Sequence, residues 1–154
     1  MSTGPHLVAC VAMHGWGHLS QTVPILAALH ARIPGLRVTV RTGLPADLVA
    51  ARCVAAGMPR PAVSFDDTEF GFAMHDAVSV DHPTSLVRYA ALYSARHRLM
   101  ADERAMLRAL QADLVLADIG WLPIAAAASI GLPAFGVCSL NWADLLDAMW
   151  PDRT

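Results

Sequence analysis

Two histidines and two glycines lie close together near the start of the chain, in the segment His14-Gly15-Trp16-Gly17-His18. The segment follows an apolar run that predicts a buried strand, Leu7–Met13, and precedes an amphipathic run that predicts a helix, Gln21–Arg32. A glycine-rich turn of this kind directs backbone N–H groups and a helix N-terminus toward any ligand above the sheet. Histidine can carry a proton near neutral pH. The segment therefore predicts an anion-binding frame with a candidate base.

A carboxylate follows another apolar strand about a hundred residues later. Asp118 comes directly after the run Asp113–Ala117. A carboxylate beside a histidine orients the ring, fixes its tautomer and stabilises the imidazolium formed on proton uptake. We therefore interpret His18 as a candidate general base with Asp118 behind it. The alternative is that Asp118 only caps a helix and that His18 is only a polar residue in the first turn of the first helix.

The alternation of strands and helices predicts a parallel sheet that helices cover on both faces, a Rossmann-like α/β fold. Right-handed crossovers then favour the strand order 3-2-1-4-5. In that order strands one and four are neighbours where the winding reverses, and their carboxyl ends flank the ligand crevice. We therefore expect the His18 turn and the Asp118 turn to meet at one site.

The predicted elements fill the chain as one domain, 1–154. Gly35, Gly57 and Gly131 are interpreted as helix stops. The loop Asp66–Pro83 is polar and long for a connection, which is typical of a functional loop. The predicted strands are His6–Met13, Leu36–Arg41, Ala62–Phe65, Asp113–Ala117 and Ala134–Cys138. The predicted helices are Ser20–Arg32, Pro45–Ala56, one long or two short helices over Pro83–Leu110, Pro123–Ser129 and Asn141–Met149.

Several further residues near the predicted crevice are candidates for substrate binding. Gly15 and Gly17 would let the backbone approach a phosphate or sugar, although a tight turn alone also explains them. Trp16 and Trp121 offer aromatic faces for a sugar or an apolar ligand, with cover of the core as the alternative. The remaining candidates are His14, Ser139 and Asn141, and for Ser139 and Asn141 helix capping is the default interpretation.

Other ligand classes have weaker sequence support. Ser20 occupies the position of the third glycine in a Gly-x-Gly-x-x-Gly pattern, and Arg41 stands where a dinucleotide site has an acidic residue. Both differences argue against binding of a nicotinamide or flavin dinucleotide. His75, Asp76, Asp81 and His82 have no standard metal spacing, so we interpret them as solvated loop residues and expect no metal or other cofactor.

Composition excludes further function classes. The 154 residues are 55% hydrophobic and 16% charged, with a net charge of −2 and no lysine, so nothing indicates binding to nucleic acid or an anionic membrane. No transmembrane segment or signal peptide is expected. Three widely spaced cysteines, Cys10, Cys53 and Cys138, fit a reducing, cytoplasmic setting, with Cys10 and Cys138 as core residues in strands. The high hydrophobic content favours an uncovered apolar surface, so we expect the isolated chain to form a homodimer or to aggregate.

The motifs resemble a known group of proteins. Met13 to His18 is similar to the Gly-His-Gly-Phe-Gly-His segment in the glycosyltransferase-like N-terminal part of plant L-arabinokinase and its bacterial relatives. The segments Asp76–Asp81 and Ser85–Tyr89 resemble a second segment of that group. The stretch Ala117–Pro133 resembles the Asp-containing strand-turn-helix of UDP-sugar glycosyltransferases. Nearly the whole chain therefore resembles the N-terminal half of a GT-B glycosyltransferase.

The resemblance implies an acceptor-side domain of an inverting glycosyltransferase, hexosyltransferase-like in type. His18 would be the base and Asp118 its support. The partners would be a nucleotide-sugar, as co-substrate, and a small-molecule or glycan acceptor. GT-B enzymes bind the nucleotide-sugar mainly through a C-terminal domain, which these 154 residues lack. The alternatives are a non-catalytic sugar- or nucleotide-binding regulatory module of the same fold and a fragment that is inactive alone.

Overall fold

The computed structural model describes residues 4–76, 78–139 and 142–150. Its elements alternate as the sequence predicts. The five strands are β1 His6–Cys10, β2 Arg37–Thr42, β3 Ala62–Phe65, β4 Leu114–Ala117 and β5 Ala134–Gly136. The helices are α1 Trp16–Arg32, α2 Ala46–Ala55, α3 His82–Ser94, α4 Arg96–Ala109, α5 Trp121–Ser129 and α6 Trp142–Met149.

The strands form one parallel sheet in the order β3-β2-β1-β4-β5, which confirms the predicted topology and the Rossmann-like α/β class. Strand β1 pairs with β2 on one side and with β4 on the other, so Leu7 lies between Val38 and Leu114. The carboxyl ends of β1 and β4 are therefore adjacent at the centre of the sheet. This edge is where the two predicted turns emerge.

Each face of the sheet has its own apolar core, because side chains alternate along a strand. Leu7 and Ala9 of β1 point toward the face that α1 and α2 cover, where Leu26 and Val49 are fully buried. The intervening residues of β1 point toward α4 and α5 on the opposite face, where they join Leu107. Both faces of the central strand are therefore buried, which explains its continuous apolar sequence.

Two element boundaries differ from the sequence prediction in ways that affect the site. Helix α1 begins at Trp16, so Trp16, Gly17 and His18 form its first turn and do not belong to the preceding loop. Strand β5 ends at Gly136, and Cys138 is exposed. The prediction of Cys138 as a core residue in a strand is therefore wrong, because β5 is an edge strand and the chain leaves the sheet before reaching it. Cys10 is buried as predicted.

Helix α4 ends in a left-handed residue that is not glycine. Gln111 has a φ of 52° and is exposed, and its N–H donates to the Arg108 carbonyl at 2.9 Å. The next residue, Ala112, donates to the Leu107 carbonyl at 3.1 Å, which completes a Schellman motif. Gly57 and Gly131 occupy similar positions after α2 and α5, with φ of 85° and 72°. Glycine adopts this conformation without the steric cost that a Cβ carries.

We expect Gln111→Gly to stabilise the protein by about 0.5–1 kcal/mol, because the left-handed strain disappears while the capping hydrogen bonds stay. This gain corresponds to a rise in Tm of about 1–4 °C for a domain of this size. Thermal unfolding measures it. Gln21→Gly, an exposed glutamine inside α1, is the matched control and should lower Tm. A lower Tm for Gln111→Gly would contradict the assignment of strain to this residue.

Candidate functional site

The two predicted turns meet at the carboxyl edge of the sheet. His18 Nδ1 lies 2.8 Å from Asp118 Oδ2. The side chain of Asp118 is 2% exposed and that of His18 is 20% exposed, so the carboxylate is buried behind a ring that still reaches solvent. The contact has the distance of a hydrogen bond but not its alignment, and neither atom has another hydrogen-bond partner among the described residues. Long or poorly aligned contacts are common at catalytic pairs before substrate binds.

Adjacent strands and their turns hold this pair in place. The Asp118 N–H donates to the Cys10 carbonyl at 2.8 Å, which extends the β1–β4 ladder by one residue beyond β4. Helix α5 has Gly120 as its N-cap and no side-chain cap, so helix capping does not explain Asp118. Ile119 has a φ of 62°, a conformation that a β-branched residue adopts only at a steric cost. The turn that presents Asp118 is therefore strained.

His14 lies beside the pair. Its ring centroid is 4.3 Å from that of His18, in an edge-to-face arrangement. Partial burial lowers the pKa of His14, and a positive charge on His18 would lower it further. A neutral His14 is therefore favoured near neutral pH, and the site holds one positive charge more easily than two.

A cavity of about 600 Å³ opens in front of the two histidines. Its lining combines the histidine rings with apolar and aromatic side chains from the β3–α3 loop and from α6, and one carboxylate. The lining residues are His14, His18, Phe72, Met74, Asp76, Trp142 and Leu145. Such a mixture suits a ligand that is mostly apolar and carries a few polar groups.

The other predicted binding residues have different positions. Among the described residues, Trp16 and Trp121 are not part of this cavity lining, and they are 48% and 38% exposed in the first turns of α1 and α5. A Cβ at Gly15 or Gly17 would meet nothing within 4 Å, so packing does not explain these glycines. Ser139 is exposed beyond β5, and Asn141 lies outside the described residues. Ligand binding by these residues stays a prediction.

The polar residues of the β3–α3 loop have structural partners. Asp81 caps α3, accepting from the Thr84 N–H at 3.0 Å. Asp76 accepts from the N–H groups of Val78 and Ser79 in a turn. Within the described part of the chain, no group of three or more histidines, cysteines or acidic residues could hold a metal ion. No helix there is long and apolar enough to cross a membrane.

Sequence interpretation missed Glu69 and the apolar and aromatic residues of the cavity lining, which are Phe72, Met74, Trp142 and Leu145. The Trp142 indole N–H donates to Glu69 Oε2 at 3.2 Å, and Trp142 also packs against His14. Burial raises the pKa of Glu69 to about 7, against the opposing effect of this hydrogen bond. A lone glutamate in an irregular loop has no periodic signal. Only its place in a long polar loop after a strand pointed toward function.

Several solved glycosyltransferase structures are similar to this chain in fold. The calicheamicin glycosyltransferase CalG4 superposes with a TM-score of 0.56 at 20% identity, covering 97% of this chain and 37% of that one. The glycotransferase of kitacinnamycin gives a TM-score of 0.55 at 18% identity, covering 98% of this chain and 37% of that one. Phytolacca americana UGT2, solved with UDP-2fluoro-glucose and pterostilbene, gives a TM-score of 0.55 at 15% identity, covering 96% of this chain and 33% of that one.

Among curated proteins, L-arabinokinase of Arabidopsis thaliana is 29% identical over 144 residues, which are 92% of this chain and 13% of that protein. No protein-family model matches the chain. The chain therefore spans only a part of each protein that it resembles. The expected resemblance to L-arabinokinase and to GT-B glycosyltransferases is confirmed, and the chain has the Rossmann-like α/β fold of GT-B glycosyltransferase domains.

Proposed function

We propose that this chain is the acceptor-side domain of an inverting glycosyltransferase, with His18 as general base and Asp118 as its supporting carboxylate. The observation that carries the proposal is the 2.8 Å contact between His18 Nδ1 and Asp118 Oδ2 at the carboxyl edge of the sheet. Because Nδ1 faces the carboxylate, Nε2 is the ring nitrogen left for a substrate proton. His18 also lines the cavity, which is where an acceptor hydroxyl would lie.

The proposed reaction proceeds in one displacement. His18 Nε2 takes the proton of the acceptor hydroxyl while the oxygen attacks the anomeric carbon of the sugar. The bond from that carbon to the diphosphate oxygen breaks, and the nucleoside diphosphate leaves with the electron pair. Buried Asp118 stabilises the imidazolium that results, because opposite charges interact strongly away from water. The configuration at the anomeric carbon inverts.

The donor, a second domain that binds it and self-association belong to the same proposal. Phytolacca americana UGT2 was solved with a UDP-sugar analogue and an aromatic acceptor, which supports a UDP-sugar and a hydroxylated, partly apolar acceptor for this chain. The donor would bind mainly to a second domain. Homodimer formation stays a prediction. It is supported by large exposed apolar side chains at both edges of the sheet, Phe65 at 73% and Phe135 at 60%. Cytoplasmic location also stays a prediction.

The test is a transfer assay with a panel of UDP-sugars and hydroxylated aromatic acceptors, read by mass spectrometry of the product. The assay is run on the chain alone and on the longest natural form of the protein that contains it. Transfer with inversion of the anomeric carbon supports the proposal. Binding of UDP-sugar without transfer in either form would instead favour the non-catalytic module.

Asp118→Asn separates a catalytic from a structural carboxylate. We expect the variant to lose turnover on the order of a hundredfold, because the amide keeps the shape but removes the charge that stabilises the imidazolium. Its Tm should fall little, since the amide keeps the shape of the carboxylate and a neutral amide costs less to bury than a charge. Rate and thermal unfolding are measured on the same preparation.

Asp113→Asn, at the amino end of β4, is the matched control. Its carboxylate accepts from the His6 N–H at 2.8 Å, far from the pair, and an asparagine oxygen can accept the same bond. This control should keep both rate and Tm. A lower Tm with an unchanged rate per folded molecule in Asp118→Asn would identify Asp118 as structural only.

A further inference from the structure

Glu69 lies in the loop between β3 and α3, and the proposed reaction gives it no part. Its backbone first ties this loop to the segment that carries the histidines. The Met13 N–H donates to the Glu69 carbonyl at 3.3 Å. Two residues later, Gly71 has a φ of 70°, and a Cβ there would lie 2.6 Å from His14 Cγ. The loop is therefore packed directly against His14.

The carboxylate of Glu69 then reaches the turn that presents Asp118. A Cβ on Gly120 would lie 3.1 Å from Glu69 Oε1 and 3.1 Å from its Cγ, so the side chain packs on this glycine. Oε1 is fully buried without a well-aligned hydrogen bond among the described residues, and the Trp121 backbone N–H acts to lower the pKa of this carboxyl. Ile119, the strained residue with a φ of 62°, lies between Asp118 and Gly120. Glu69 therefore packs against a turn that is under conformational strain.

The second carboxylate oxygen reaches helix α6. Glu69 Oε2 accepts the hydrogen bond from Trp142 Nε1 at 3.2 Å. The Trp142 ring lies 5.4 Å from that of His14 and 5.1 Å from that of Phe72, and it lines the cavity. Helix α6 has no fully buried residue. Trp142 is therefore one point at which this helix is attached to the β3–α3 loop and to His14.

We propose that Glu69 is a positioning residue that joins the Asp118 turn to Trp142 and so fixes helix α6 as the wall of the cavity. The Glu69 side chain contacts the turn that carries Asp118 on one side and Trp142 of the cavity wall on the other. The inference rests on the proposed function only in taking this cavity as the place of the acceptor. The hydrogen bond between Trp142 and Glu69 can be tested without any measurement of sugar transfer.

The electrostatics of Glu69 make this coupling sensitive to pH. Burial raises the pKa of Glu69 to about 7, opposed by the Trp142 hydrogen bond, and nearby negative charge on Asp66 and Asp118 also raises it. The carboxyl is therefore neutral below about pH 7 and charged above it. A charged carboxylate is the stronger acceptor, so the bond to Trp142 strengthens as pH rises. The other titratable groups on the segments around Glu69 are His14, His18, Tyr89 and Asp144.

The test follows the indole N–H resonance of Trp142 in the ¹⁵N-labelled chain, identified by its loss in Trp142→Phe. In the wild type, the resonance should move downfield with a midpoint near pH 7, as Glu69 ionises. In Glu69→Gln it should stay hydrogen-bonded and lose that midpoint. In Glu69→Ala it should move to the position of a free indole, and the Trp121 amide should shift with it. Asp67→Asn, an exposed acidic neighbour on the same loop, should leave the titration unchanged.

Two results would overturn the proposal. If the midpoint persists in Glu69→Gln, the titration belongs to a histidine and not to Glu69. If the Trp142 indole resonance is the same in the wild type and in Glu69→Ala, the side chain does not hold α6. Because Glu69→Gln conserves shape, it decides the question even if Glu69→Ala fails to fold. A failure of the transfer assay would leave these resonances unaffected, so the two proposals fail separately.

Discussion

His18→Ala is expected to lower the rate of sugar transfer by roughly a hundredfold or more, the usual scale for the loss of a general base. The acceptor hydroxyl would then lack the imidazole that takes its proton in the proposed reaction and whose Nδ1 lies 2.8 Å from Asp118 Oδ2. The rate is measured by product formation in the form of the protein that transfers sugar. Affinity for the acceptor should change much less than turnover, since the base acts mainly in the transition state.

His30→Ala is the matched control for this change. His30 lies near the opposite end of the same helix, in the last turn of α1, so its loss should leave turnover unchanged. Thermal unfolding of both variants shows whether either substitution disturbs the helix. Transfer by His18→Ala at the wild-type rate, with Tm preserved, would show that the catalytic assignment is wrong.

Arg41→Met is expected to destabilise the protein by about 3–5 kcal/mol, because it breaks a buried ion pair and leaves charges without a partner. Arg41 is 8% exposed at the end of β2. Its guanidinium pairs with Glu103 of α4 and lies 3.0 Å from Asp66 Oδ2 at the end of β3. Burial raises the pKa of Glu103, and Arg41 opposes that effect. Without Arg41, the pKa of Glu103 in the folded state rises further. At low pH Glu103 is then protonated and needs no counter-charge, so Arg41→Met should lower the free energy of unfolding by less than at neutral pH.

Urea unfolding at two pH values measures this effect. Arg60→Met is the control, because Arg60 pairs with Asp47 at 2.6 Å but its side chain is 64% exposed. Exposed pairs contribute at most about 1 kcal/mol, so this variant should unfold close to the wild type. The double variant Arg41→Met with Glu103→Gln should recover part of the loss, since the amide needs no counter-charge. Equal losses for Arg41→Met and Arg60→Met would contradict the assignment of Arg41 to a buried network.

The strand order and the meeting of His18 with Asp118 could be predicted from the sequence, and both follow from one physical rule. Alternating strands and helices close a parallel sheet with right-handed crossovers, so β1 and β4 become neighbours and their carboxyl ends converge. The distance between the two turns is then set by hydrogen bonding between strands, which depends little on loop sequence. The fold class and the pair are therefore the most predictable parts of this molecule.

The cavity wall was not predictable in the same way. Glu69, Phe72 and Trp142 lie in or after irregular segments, where no periodicity relates sequence to position. In the sequence, Arg41 was noted only because it stands where a dinucleotide-binding site would have an acidic residue. Its ion-pair partner Glu103 could not be identified, because it is 62 residues away and on a helix. Cys138 was expected in the core because apolar runs do not reveal where an edge strand ends. Each of these outcomes depends on tertiary contacts that single-sequence patterns do not contain.

The placement of the histidine–aspartate pair on the two central strands has a consequence for how this domain could change over time. The pair is anchored to the most deeply buried part of the molecule, whereas the cavity in front of it is shaped by a surface loop and a helix with no fully buried residue. Substitutions and insertions in that loop and helix can therefore alter which molecule is accepted without touching the proton-transfer groups. A library confined to the loop after β3 and to α6 would be the economical route to new acceptor preferences.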